Sequence, residues 1–298
     1  MKIVSLVPSA TEIISSIGLK DNLIGISHEC DFPLDILKLP RLTLSKISSK
    51  GNSKEINNNI DKLLKNSLSI YEVNIEILRK LQPDFIITQS QCNVCAISIE
   101  QVSICVEKVL SKKSKIIDLQ AKNLKGILDD IYNCGQILNK LNEAKQIINH
   151  FISRTKDIKK KLSSKKRIKV LCVEWIEPLM LAGNWMPDLV HLACGINIGS
   201  NSGKHSPFTS AEQLHNLEFD VVIFLPCGYE IKKTYSELKK LQNLDKLFKG
   251  KSKYIVNGNK FFNRPGTSIF ESLNILCEIL HPEIFGTNPG YNRWIEFI

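Results

Sequence analysis

No stretch of this chain approaches the roughly 18 consecutive apolar residues of a membrane-spanning helix, which excludes an embedded helical protein. No internal repeat or low-complexity tract is present, so solenoid, fibrous and wholly disordered architectures fall away. The nine Cys are odd in number and irregular in spacing; they suggest no disulfide framework and fit reduced thiols. Hydrolase apparatus is missing as well. There is no Ser/His/Asp arrangement, and His28-Glu29 is not followed by a second His at the metalloprotease spacing. The Gly/Ser-rich run Gly199-Ser200-Asn201-Ser202-Gly203-Lys204-His205-Ser206 lacks the spacing of a phosphate-cradling loop. The chain therefore reads as a binder and not as an enzyme.

The N-terminus lacks the apolar h-region and small-residue cleavage site of a secretory signal. Met1-Lys2 leads directly into Ile3-Val4-Ser5-Leu6-Val7, then Pro8-Ser9, which reads as a first core strand. The expectation is a cytoplasmic protein, or a periplasmic one if the natural start lies upstream. The net charge of +10 comes from 40 Lys and Arg against 30 Asp and Glu, mostly Lys scattered among Ile and Asn. Nucleic-acid binding would gather Arg and aromatics on one face, and no such footprint occurs. The densest basic run, Lys159-Lys160-Lys161 to Lys165-Lys166-Arg167, falls at an expected helix end, where cations complement the dipole.

What is present is an alternation of strands and helices. Residues 3–7 predict a strand and the segment ending at Gly18 a helix, with Ser9 as N-cap and Glu12 at its N3 position. A strand at 23–27, a helix at 74–81, a strand at 85–88, a helix at 98–110 and a strand at 115–119 follow. Residues 41–70 are polar and read as an ordered loop with a short helix or strand. From 124 to 162 apolar residues recur at helical spacing without Pro, with a break expected at Asn142-Glu143. Alternation then restarts: strands at 169–173, 221–225 and 254–256, helices at 187–193, 211–217, 235–247 and 268–280. The predicted fold is α/β: two Rossmann-like lobes with mostly parallel sheets, 1–121 and 165–298, joined by a long connecting helix within 122–164. A ligand cleft between the lobes is expected, because loops at strand C-termini would face it.

Those loops carry the candidate residues. Pro8, Ser9, Ala10 and Thr11 sit at a helix start, where hydroxyls hold a ligand or simply cap. His28 and Cys30 on one loop, with Cys92 and Cys95 on another, have the donor chemistry for zinc or iron; a redox dithiol and plain buried thiols are the alternatives. Glu29 and Gln91 accompany them. In the second half Trp175 and Trp185 are platforms for a flat ligand or hinge-side core aromatics. Glu174 and His205 would be the acid/base pair were the protein an enzyme of cofactor metabolism, and Phe262 and Arg264 complete the set.

In order and spacing these pieces resemble the cobalamin and iron-siderophore class of ABC-importer substrate-binding proteins, nearest its cobalamin-binding branch. The matching stretches are Ile3-Val4-Ser5-Leu6-Val7-Pro8-Ser9-Ala10-Thr11-Glu12, Gly25-Ile26-Ser27-His28-Glu29-Cys30-Asp31-Phe32-Pro33 and Leu81-Gln82-Pro83-Asp84-Phe85-Ile86-Ile87. Phe208-Thr209-Ser210-Ala211-Glu212-Gln213-Leu214 and Phe261-Phe262-Asn263-Arg264-Pro265-Gly266 match in the second half. The resemblance implies a periplasmic-binding-protein fold with a corrinoid or related metal chelate as ligand, no required cofactor, and delivery to an ABC permease. It assigns permease docking to Glu76 and Glu212, which as plain helix residues would serve the dipole, with Thr209 and Glu212 as a capping box. Residues 43–50 carry no aromatic where the family pattern has one, and the N-terminus shows no signal or lipid-attachment Cys.

Overall fold

In the first strand, Ile3–Ser5 (β1), every side chain is buried, because both faces of its sheet are covered. The computed structural model describes residues 1–48, 51–65, 70–91, 102–103, 106, 114–241 and 244–298. They divide into two units: 1–51, 55–121 and 126–148 form one; 52–54, 122–125 and 149–298 form the other.

The first unit is built on a parallel sheet ordered β2-β1-β5-β6, with β2 at Leu23–Gly25, β5 at Phe85–Gln89 and β6 at Lys115–Leu119. Val4, Leu6, Leu42, Val73, Leu78 and Ile86 pack into one core cluster there. Helix α1, Pro8–Ser16, follows β1, starting with Pro at its first position, where no amide hydrogen is needed. Its N-cap is Val7, not Ser9: Ser9 lies inside the first turn and its hydroxyl is turned to Gln89. Gly18 has φ +79, the left-handed conformation that stops a helix without a Cβ penalty. The polar stretch 41–70 holds more order than a loop. Strand β3, Thr43–Ser45, pairs antiparallel with β4, Tyr71–Val73, and Ser53–Lys65 is helix α2. Helix α3, Ile75–Leu81, is capped by Asn74, whose side chain accepts from the Ile77 amide. The helix expected over 98–110 lies outside the described residues except at 102, 103 and 106.

Helices α4, Leu124–Ile137, and α5, Leu141–Lys161, make the expected pair. The break comes at Asn139 (φ 57), earlier than Asn142-Glu143. A Cβ on Gly135 would lie 2.4 Å from the Ala144 Cβ and 2.8 Å from the Lys140 carbonyl, so glycine is what lets the chain reverse there. Glu143 belongs to the first turn of α5, paired with Lys140 at 2.6 Å. The chain passes from the first unit to the second within α5.

The second unit has a six-stranded mixed sheet ordered β12-β11-β10-β7-β8, with β9 also beside β7. Its members are β7 at Ile168–Trp175, β8 at Met180–Leu181, β9 at Gly195–Asn197, β10 at Val221–Phe224, β11 at Ser252–Val256 and β12 at Trp294–Glu296. The three central strands are parallel, while β8 and β12 run antiparallel. Leu171, Val173, Val222, Phe224, Phe248 and Ile255 form its core. The single helix expected over 235–247 is two, Ile231–Lys240 and Leu244–Leu247. The capping box at the helix Ala211–His215 joins Ser210 to Gln213, not Thr209 to Glu212.

Candidate functional site

In the first unit, the loop leaving β2 is held from several sides. Arg41 Nη1 donates to the Ser27 carbonyl at 2.8 Å and the Cys30 carbonyl at 2.6 Å. Thr43 Oγ1, buried on β3, accepts the His28 amide at 2.9 Å, meets Ser27 Oγ at 2.9 Å and lies 2.6 Å from His28 Nδ1. Tyr71 donates its hydroxyl to Glu29 Oε1 at 2.9 Å and stands beside the His28 ring at 5.2 Å between centroids. Burial outweighs the pull of Glu29 and lowers the His28 pKa, so the imidazole is neutral. Cys30 is buried, its Sγ 3.0 Å from Thr11 Oγ1.

Pro8, Ser9, Ala10 and Thr11 lie together at the start of α1, yet their hydroxyls are spent internally. Ser9 Oγ donates to Gln89 Oε1 at 3.3 Å and Thr11 Oγ1 to Ser5 Oγ at 2.8 Å. Only Pro8 of the four is partly exposed. Gln91 is half-buried just beyond β5. Cys92 and Cys95 lie outside the described residues. Among the described residues no group of three or more His, Cys, Asp or Glu is arranged to hold a metal ion. Further along the same sheet edge, Asp130 on α4 accepts the amides of Gln120 and Ala121, each at 3.0 Å. Desolvation pushes its pKa up to about 7, against those two hydrogen bonds.

In the second unit, Glu174 and Trp175 end β7. Ser206 Oγ donates to Glu174 Oε2 at 2.7 Å and accepts the Gly183 amide at 3.0 Å. Gly183 is needed: a Cβ there would stand 2.5 Å from the Lys204 carbonyl. His205 is exposed, and both candidates engage Ser206: His205 Nδ1 lies 3.1 Å from its carbonyl, while Glu174 holds its hydroxyl. Trp175 packs on Tyr229, with centroids 5.3 Å apart, and Lys233 Nζ sits 3.9 Å over the Tyr229 ring. Both aromatics are buried, and among the described residues Trp175 Nε1 and Tyr229 Oη have no hydrogen-bond partner. Trp185 Nε1 donates to the Phe262 carbonyl at 3.1 Å. Phe262 is fully buried, a core side chain in this structure, and Trp185 is nearly so. Arg264 is buried too, with Nη2 donating to Asn259 Oδ1 at 3.3 Å.

Sequence reasoning did not single out Arg41, Thr43, Tyr71 or Asp130. The first three lie in or beside a stretch whose polarity reads as loop, and only strand pairing brings them to His28. Tyr229 follows β10 on the Cys227-Gly228-Tyr229 loop, and its pairing with Trp175 is a contact between residues far apart in sequence. Glu76 and Glu212 are both exposed in the first turns of their helices, Glu76 paired with Arg79 at 2.8 Å.

Among the described residues no helix is long and apolar enough to cross a membrane. The chain is similar over 285 residues to the vitamin B12-binding protein of Vibrio cholerae, at 23 % identity, covering 94 % of this chain and 88 % of that protein. It is 27 % identical over 184 residues to the high-affinity heme uptake system protein IsdE of Staphylococcus aureus, covering 60 % of each. Its fold matches that of a periplasmic heme-binding protein from Pseudomonas aeruginosa with a TM-score of 0.71 at 16 % identity, over 98 % of this chain and 97 % of that one. These relatives are binding and uptake proteins. The family model described as periplasmic binding protein matches residues 3–255, well over half of the chain, and the chain belongs to that family.

Proposed function

We propose that this protein binds a corrinoid, cobalamin or a close relative, and delivers it to an ABC permease. One observation carries the reading: the similarity to the vitamin B12-binding protein runs through almost the entire length of both chains. The site chemistry is compatible with it. Loops at the carboxyl ends of parallel strands supply a neutral imidazole at His28, a fixed carboxylate at Glu174 and the aromatic pair Trp175–Tyr229. Glu29 and Cys30 follow His28 on its loop, and Gln91 lies just beyond β5. Glu76 and Glu212, exposed on separate helices, are our candidates for pairing with cations of the permease. The family's setting favours the periplasmic alternative over the cytoplasmic one.

Titration of the purified protein with cyanocobalamin and cobinamide, followed by calorimetry, tests this. A dissociation constant of about 1 µM or tighter, near −8 kcal/mol, is expected for at least one. Absence of heat with both at high micromolar concentration overturns the corrinoid reading. A second reading, a heme-type chelate, is favoured by the partial similarity to the heme uptake protein; hemin binding in place of corrinoid binding would select it.

A further inference from the structure

We infer that His28 Nε2 is an axial donor to the metal of the bound chelate, with Thr43 as the residue that positions it. The inference rests on the reading of the site as one for a metal chelate and adds which atom meets the metal.

The two ring nitrogens are in unlike surroundings. Nδ1 has a short contact, 2.6 Å, to Thr43 Oγ1, an atom anchored on a paired strand and buried. Among the described residues Nε2 has no hydrogen bond; Glu29 Oε1 lies 3.9 Å from it, and 25 % of the His28 side chain remains exposed. A ring fixed through one nitrogen with the other left open is the arrangement that metal-ligating histidines use. Tyr71 holds the Glu29 carboxylate by its hydroxyl hydrogen bond, so a negative charge stays beside the open nitrogen and favours a cationic metal centre.

The proton on the ring has a route to the correct nitrogen. Thr43 Oγ1 accepts the His28 amide in either case, and it also meets Ser27 Oγ, where either oxygen can be the donor. When Ser27 donates to Thr43 and Thr43 to Nδ1, the proton is on Nε2. When the two hydroxyls reverse, Nδ1–H donates to Thr43 and the Nε2 lone pair is free. Coordination selects the second state. Nε2 donates its pair to the metal, the exchangeable axial water leaves, the ring stays neutral, and no proton is released.

The test compares two probes: aquacobinamide, whose axial water exchanges, and dicyanocobinamide, whose axial positions are both filled. Native protein is expected to shift the visible corrin bands of aquacobinamide toward those of an imidazole adduct and to leave those of dicyanocobinamide unmoved. His28→Gln should bind aquacobinamide without the shift and about tenfold more weakly. Thr43→Val, which keeps His28, should weaken binding by about tenfold, and Thr43→Ser should restore it. Urea midpoints of the three variants check that each is folded. Binding by native protein with no band shift, or the same shift in His28→Gln, overturns the axial role while leaving the corrinoid reading standing. No binding of either probe by native protein overturns both.

Discussion

The two units fix the loops at their carboxyl edges by different means. In the first, charged groups are set on backbone: Arg41 on the carbonyls of Ser27 and Cys30, Asp130 on the amides of Gln120 and Ala121. In the second, the packing of Trp175 on Tyr229 stands beside the Trp185–Phe262 and Glu174–Ser206 hydrogen bonds, and among the described residues the two aromatic donors Trp175 Nε1 and Tyr229 Oη have no partner. A charged clamp fixes direction as well as position, since the guanidinium and carboxylate demand particular geometry. Aromatic packing holds position and tolerates small rotation. The first unit therefore suits a loop whose one side chain must point, and the second suits a broad contact. Asp130, its pKa raised to about 7, also gives the first unit's edge a pH dependence near neutrality.

That contrast can be broken or sharpened by measurement. The largest expected effect is at Asp130. Its folded-state pKa of about 7 lies above the ordinary 3.8, so between those values the folded protein holds a proton that the unfolded chain has lost. Stability should thus fall as pH rises from about 4 to 7, by at most about 4 kcal/mol at 1.36 kcal/mol per pKa unit. Asp130→Asn keeps an acceptor for both amides and cannot ionise; its urea midpoint should be flatter across this range. An identical pH slope in the variant would remove Asp130 from the explanation. Next comes Arg41→Met, which keeps the bulk of the side chain and leaves two carbonyls without their donor. A loss of about 2 kcal/mol is expected by urea denaturation, the usual size for a charge-assisted hydrogen bond. A loss near zero would mean that the loop is held by Thr43 alone. The smallest effect, and opposite in sign, is at Tyr229→Phe. The ring, its stack on Trp175 and its contact with Lys233 are kept, and a buried donor that already lacks a partner is removed. Stability should be unchanged or raised by up to about 1 kcal/mol. A clear loss would show that the hydroxyl has a partner in solution.

Much of the fold was legible because buried parallel strands are short apolar runs and their helices are periodic. The strand Lys115–Leu119 was placed to the residue, and the last long helix, Ile269–Leu280, within one residue. Misplaced boundaries have local causes that periodicity does not register. Pro8 at the first helical position displaced Ser9 from the cap; Ser210 outcompeted Thr209, because only its hydroxyl reaches the Gln213 amide while Gln213 reaches back. The left-handed Asn139 set the α4–α5 break. The polar stretch 41–70 hid β3 because a three-residue edge ribbon leaves almost no alternation to read.

For the site, sequence by itself determined the donors: an imidazole, thiols, carboxylates and indoles on loops that follow strands, in an order that marks the family. It could not say which nitrogen of His28 is free, that Ser9 and Thr11 are already hydrogen-bonded, or that Phe262 belongs to the core. Those facts depend on contacts between residues far apart in the chain, Thr43 with His28, Gln89 with Ser9, Trp185 with Phe262. Composition and local spacing fix which groups are available, because they depend on neighbours in sequence. Tertiary structure alone decides which of them remain unsatisfied, because burial and hydrogen bonding depend on neighbours in space.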